Sequence, residues 1–156
     1  MPDKTSLDEA DKRILRVLQN QPELTMRELG EATGLSHTPC WRRLKRLQEE
    51  GYITDKRYLL DAQKMGFEIV AFCFVRMASH KRSTLEEFER ASRDIPEVVE
   101  CYTTAGEYDF ILKVLSRSIR DYEEAVKHKL LQLPHVSLIN TSLTLKEVKN
   151  TPDIPV

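Results

Sequence analysis

The chain has 156 residues, 40% of them hydrophobic and 31% charged, and its 24 Lys and Arg against 25 Asp and Glu leave a net charge of −1. That length accommodates one large domain or two small ones, and the balanced charge announces no polyanionic partner for the chain as a whole, so any basic signal has to come from distribution. No apolar run approaches the ~18 residues of a membrane span, the start lacks the apolar core of a signal peptide, and Cys40, Cys73 and Cys101 are odd in number and far apart with no CxxC pair, which fits buried thiols in a reducing cytoplasm rather than a disulfide or zinc framework.

Met1 to Thr5 is expected to fray. LDEADKRILRVLQNQP then reads as a helix, with Asp8 as N-cap, Asp11 three residues on, and Ile14, Leu15 and Leu18 as its apolar stripe. Pro22 closes it. LTMRELGEATG reads as a second, short helix, with Thr25 and Glu28 as a capping box, Leu24 and Leu29 as a hydrophobic staple, and Leu29 and Ala32 facing inward.

The stretch from Gly34 to Gly51, GLSHTPCWRRLKRLQEEG, organises this half. Gly34 stops the second helix in a left-handed turn, and Ser36 is a good N-cap for the next. Pro39 falls at the third helical position, where its missing N–H would have had no intrahelical partner. At about 100° per residue, Cys40, Leu44 and Leu47 share one face, while Thr38, Arg42, Lys45 and Arg46 share the other with Arg43 on its flank. No acidic residue occurs between Ser36 and Gln48. Such a face suits a DNA groove: cations neutralise phosphates, Arg forks onto guanine, and small N-terminal residues allow close approach to base edges. A short helix, a Gly turn and a basic second helix together form a helix-turn-helix unit. Trp41, on the flank of the basic helix, is expected to pack against the second helix or the wing rather than stack on bases.

Tyr52-Ile53 and Tyr58-Leu59-Leu60 can pair as a short hairpin, a small wing with Lys56 and Arg57 at its tip. Those two side chains have two open readings, phosphate contacts or solvated charges. Asp61 to Gly66 reads as a linker. FEIVAFCFVRM, residues 67–77, is a long strand with Phe67, Ile69, Ala71, Cys73, Val75 and Met77 on one face and Val70, Phe72 and Phe74 on the other, so it is apolar on both. TLEEFERASRDIP follows as a helix with Leu85, Phe88, Ala91 and Ile95 inward. VVECYTT and FILKVLS are strands about the turn AGEYD. SIRDYEEAVKHKLLQLP is a helix capped by Ser118 with Tyr122, Val126, Leu130 and Leu133 on its stripe, and LINTSLTLKEV is the last strand.

The order β-α-β-β-α-β is ferredoxin-like. The fold class is therefore α+β: a winged helix-turn-helix over residues 1–60, a linker at 61–66, a ferredoxin-like domain over 67–150 and a loose tail at 151–156. Two helices cover one face of a four-stranded sheet. The other, carrying Val70, Phe72 and Phe74, would be a large wet apolar patch, which implies a homodimer packed sheet against sheet.

LDEADKRIL, GLSHTPCWRRLKRLQEEGYI and VVECYTTAGEYDFILKV give the chain a resemblance, over nearly its whole length, to the leucine-responsive regulatory protein / AsnC family of transcriptional regulators. The TPC before the basic residues is most similar to the leucine-responsive branch. The resemblance implies dimers that commonly assemble to octamers, bind promoter DNA in the cytoplasm of a bacterium or archaeon, and respond to an amino acid or related metabolite at contacts between dimers. It implies no other cofactor, no metal and no membrane. The family's DNA-reading positions match Ser36, Thr38, Pro39, Arg42, Arg43 and Arg46; His37 stands where other members often carry another residue. Effector positions match Thr103, Gly106, Tyr108 and Asp109, on the turn between the second and third strands, together with Leu143 and Thr144. Asp109 can pair with an ammonium group, and Gly106 lets backbone approach a ligand; the other reading of the same residues is a tight hairpin.

Two further functions are possible on this plan. A decarboxylase similar to haem-synthesis relatives would need a basic or imidazole cluster in the second domain, and His37, His80, His128 and His135 form none in sequence. Cys101 has no assignable base and reads as a small buried hydrophobe. A nucleoid-structuring protein would bind DNA without responding to any effector.

Overall fold

The computed structural model describes residues 7–156, so the frayed start expected at Met1 to Thr5 lies outside the described residues. The chain divides into two compact units, one formed by residues up to 59 with 150–156 and one by residues 60–149.

The first unit holds α1 (Glu9–Asn20), α2 (Met26–Thr33) and α3 (His37–Glu49). Both sequence-read capping boxes form: Asp8 accepts from Asp11 N–H while Asp11 reaches back to Asp8 N–H, and Thr25 and Glu28 do the same for α2. Ile14, Leu29, Cys40 and Leu47 are fully enclosed where the three helices meet. On α2 the fourth position after Leu29 is Thr33, which is buried with its hydroxyl on the Leu29 carbonyl at 2.7 Å, whereas Ala32, expected inward, is exposed.

The α2–α3 turn depends on two glycines. Gly34 has φ 69°, and Leu35 N–H bonds back to Gly30 O at 2.9 Å. A Cβ on Gly30 would lie 2.8 Å from the Leu35 carbonyl oxygen, a backbone atom that cannot swing aside. Helix α3 ends by the same device: Gly51 has φ 77° and donates to Gln48 O, and Tyr52 N–H donates to Leu47 O at 2.9 Å.

That ending corrects the expected hairpin of Tyr52-Ile53 with Tyr58-Leu59-Leu60. Tyr52 and Ile53 N–H both bond to the Leu47 carbonyl, so neither is available to a ladder. Residues 54–60 run without regular structure, with Tyr58, Leu59 and Leu60 exposed. Residues 61–66, expected to be the linker, form a turn in the second unit, where Arg117 donates to Met65 O and lies over the Phe67 ring. The tail at 151–156, expected to be loose, is held on α1: the Gln19 amide exchanges two hydrogen bonds with the Ile154 backbone, and Arg16 Nε donates to Val156 O. Ile154 remains exposed, so polar side chains of α1, not apolar burial, hold this segment.

The second unit has the expected order: β1 (Ile69–Met77), α4 (Arg82–Arg93), β2 (Val98–Thr103), β3 (Phe110–Ser116), α5 (Ile119–His128), a 3-10 turn (Leu130–Gln132) and β4 (Val136–Leu143). The antiparallel sheet runs β2-β3-β1-β4. Ala71, Cys73, Val75 and Met77 alternate with half-buried Val70, Phe72 and Phe74. The first set packs with Phe88, Phe110, Leu112, Tyr122 and Leu130 beneath the helices. Strand β4 stops at Leu143, short of the expected Val148, because its partner runs out: Leu143 faces Ala71, and Thr144 makes the last bonds, to Val70 O. No described helix is long and apolar enough to cross a membrane.

Gly30→Ala, a change that gains up to about 1 kcal/mol in an ordinary helix, is expected here to destabilise the first unit by about 1–3 kcal/mol through overpacking; urea unfolding of the variant reads the sign directly.

Candidate nucleic-acid interface and effector turn

Helix α3 turns Cys40 and Leu47 into the core and leaves Ser36, His37, Thr38, Trp41, Arg42 and Lys45 exposed, with Pro39 half-buried. Ser36 occupies the N-cap position but its side chain makes no capping hydrogen bond.

Arg43 and Arg46, expected on the DNA-facing side, are engaged instead with α1. Asp11 is 1% exposed. Its Oδ1 receives Arg43 Nη1 at 2.8 Å and its Oδ2 receives Arg46 Nη2 at 2.5 Å, while Arg43 also reaches Asp8 at 2.7 Å. Burial by itself pushes the Asp11 carboxyl up. The Arg46 and Arg43 hydrogen bonds outweigh that and hold it below the usual carboxylate range, and both guanidiniums are raised in return. Asp8, bonded first to Asp11 N–H and then to Arg43, falls from 3.8 to about 2. The helical spacing of α3 gave no sign of this, because the acids lie on another helix.

Of the basic run this leaves Arg42, with no partner among the described residues, and Lys45, which is 3.6 Å from Glu49 and 5.4 Å from the Trp41 ring centroid. Trp41 is 48% exposed, with the Lys45 ammonium 5.4 Å from its ring centroid. The two cations expected at the hairpin tip are paired, Lys56 with Glu23 and Arg57 with Asp55.

The proposed effector residues do not form one cluster within the chain. Thr103 ends β2 opposite Phe110. Gly106 is at the tip of the following turn, with open space where a Cβ would stand. Tyr108 lies near Phe74 and the Arg76 guanidinium, and its hydroxyl accepts from Asn140 at 3.1 Å. Asp109, expected to offer a carboxylate to an ammonium group, already uses both oxygens: Oδ2 takes Met77 N–H at 2.7 Å and Oδ1 meets His80 Nε2 at 2.8 Å. Its own N–H donates to Val75 O. Thr104, which the sequence reading passed over, closes the turn with its hydroxyl on Tyr108 O at 2.6 Å. Leu143 and Thr144 sit at the Val70–Ala71 end of β1, five residues or ~17 Å along the strand from the turn. Cys101, expected to be buried, is exposed, with its sulfur 3.8 Å from Ser92 Oγ.

Residues 7–54 match the family model for a winged helix-turn-helix DNA-binding domain, and residues 70–154 match that for the Lrp/AsnC ligand binding domain. The chain belongs to the Lrp/AsnC family. It is similar to the proline dehydrogenase transcriptional activator of Rhizobium radiobacter, 41% identical over 93% of each chain. It is 33% identical to the leucine-responsive regulatory protein of Rhizobium meliloti over 98% of each. The crystal structure of a Neisseria meningitidis transcriptional regulator in complex with L-Met superposes with a TM-score of 0.91 at 33% identity, over 96% of this chain and 97% of that one.

As a Lrp/AsnC protein the chain is a DNA-binding transcriptional regulator and not an enzyme. Helix α3 carries its charges in two arrangements: Arg43 and Arg46 tie α3 to α1, and Arg42 and Lys45 face outward.

The clamp makes a pH prediction. Carboxyls depressed in the folded state add stability that is complete above their unfolded values near pH 4 and is lost as pH falls through their lowered folded values, about 2 for Asp8. Asp11→Asn is expected to flatten this acid limb and to lower stability at pH 7 by about 3 kcal/mol, because two guanidiniums lose their carboxylate. Urea midpoints measured from pH 7 to pH 2 check both effects.

Proposed function

We propose that this protein is an amino-acid-responsive transcriptional regulator that acts as a dimer or higher assembly on operator DNA in the cytoplasm. Its DNA-reading residues are Ser36, His37, Thr38, Arg42 and Lys45. One observation carries the assignment: α3 presents Thr38, Arg42 and Lys45 on one exposed side while two other arginines of the same helix are fixed to a buried acid. That arrangement orients a rigid basic helix for a major groove.

Dimerisation is supported by the sheet face away from α4 and α5. Val70, Phe72, Phe74, Ile111 and Leu115 are only half-buried there, and Tyr102 and Leu138 are exposed. A second copy would cover this face. A site using both the Gly106 turn and Thr144 then draws them from different copies, since one chain holds them at opposite ends of β1. The relatives support an amino-acid effector: one is named for activating proline dehydrogenase, and another was crystallised with L-Met. In this reading Asp109 keeps the turn's shape by holding Met77 N–H, and Gly106 leaves the tip open to a ligand.

Arg42→Ala is expected to weaken binding to DNA from upstream of the protein's own gene and to reduce the slope of log K against log salt by about 0.9 per protomer, one phosphate contact. Arg43→Ala is expected to leave that slope unchanged and to lower stability by about 1.5–3 kcal/mol. A gel-shift salt series alongside thermal unfolding separates the two; equal effects of both on the slope would return Arg43 to the DNA-reading set.

Thermal-shift titration with the twenty amino acids is expected to show at least one that raises the melting temperature and alters DNA affinity. Asp109→Ala, which removes the acceptor for Met77 N–H, should abolish that response with DNA affinity intact. A normal response in Asp109→Ala removes the turn from the effector site. If no amino acid has any effect, a nucleoid-structuring role is favoured instead.

A further inference from the structure

We propose that Trp41 is a specificity-determining residue that reads a thymine methyl group in the major groove. The inference rests on α3 being the DNA-reading helix. Trp41 stands three residues after Thr38, directly before Arg42 and four residues before Lys45, and all four are exposed. Its neighbours Cys40 and Leu44 turn into the core instead. A large apolar ring thus sits among the outward polar groups, 48% exposed and with the Lys45 ammonium 5.4 Å from its centroid. The cation restrains the indole through the ring's negative face, so the ring is presented in a defined orientation.

The groove offers such a ring few partners. Base edges there display hydrogen-bond donors and acceptors at every pair, and the apolar exception is the thymine C5 methyl. Against a polar edge the ring's carbon surface would strip water from groups without replacing its hydrogen bonds, which is unfavourable. Against the methyl, both surfaces lose water favourably. Trp41 therefore adds an apolar criterion to the charge reading by Arg42, while Lys45, already aligned with the ring, serves the flanking phosphate.

The test uses the full chain and a duplex enriched by it from a randomised pool. Each thymine is replaced singly by deoxyuridine, which deletes only the methyl group, and affinity is measured by gel shift. One position in each half-site is expected to lose affinity roughly fourfold on losing its methyl, the worth of one buried methyl group. Trp41→Ala should bind the parent duplex more weakly, show no thymine–deoxyuridine difference at that position, and keep the wild-type salt slope and melting temperature. Arg42→Ala should keep the difference. The proposal is overturned if no thymine is methyl-sensitive, or if Trp41→Ala retains the sensitivity, as it would were Thr38 the reader or Trp41 stacked on a sugar. A wild-type chain that enriches no duplex would overturn the DNA-reading assignment of α3 itself.

Discussion

A buried carboxylate on α1 holding two guanidiniums of α3 is the contact on which the DNA-binding unit depends. Desolvation opposes the charge on Asp11, and the hydrogen bonds from the two guanidiniums outweigh it. Once paired, Asp11 fixes the rotation of α3 about its own axis. Leu47 and Cys40 then fall inside, and Thr38, Trp41, Arg42 and Lys45 fall outside. A hydrophobic seam alone would tolerate some slippage; two charged hydrogen bonds from positions three apart on the helix do not. Thus part of the basic run serves orientation, and the remainder, Arg42 and Lys45, is left facing outward.

The second unit uses a comparable device. Asp109 holds the amide of Met77 and meets His80, so a carboxylate in a hairpin braces the end of β1. The turn that follows β2 is thereby built on the central strand and not left to its own short sequence. Regulation in this family plan needs a ligand with different affinity for two assemblies, and a braced turn next to a sheet face that a second copy would cover is a place where such a difference can arise.

Most of the architecture could be read from residue order. Gly34 marked the end of α2 and Gly51 that of α3, the Thr25–Glu28 and Asp8–Asp11 pairs marked two helix starts, and the doubly apolar β1 identified the central strand. What escaped was contact between elements. Periodicity placed Arg43 and Arg46 correctly on α3 but carried no information about an acid on α1. The Tyr52–Ile53 strand was plausible by composition, yet its N–H groups are consumed by the α3 cap. Thr144 was assigned beside Gly106 by resemblance, while strand register separates them along β1. The tail looked loose because it has little to bury, and the polar hold of Gln19 on its backbone leaves no signature in hydropathy.

A double-mutant cycle between Asp11 and Arg46, measured by urea unfolding of the wild type, Asp11→Ala, Arg46→Ala and the pair, tests the central claim most directly. The account predicts a coupling of about 1.5–3 kcal/mol, with the double variant more stable than the sum of the two single losses implies. A coupling near zero would mean that the two side chains do not meet in the folded protein, and that Arg46 returns to the outward, DNA-reading set.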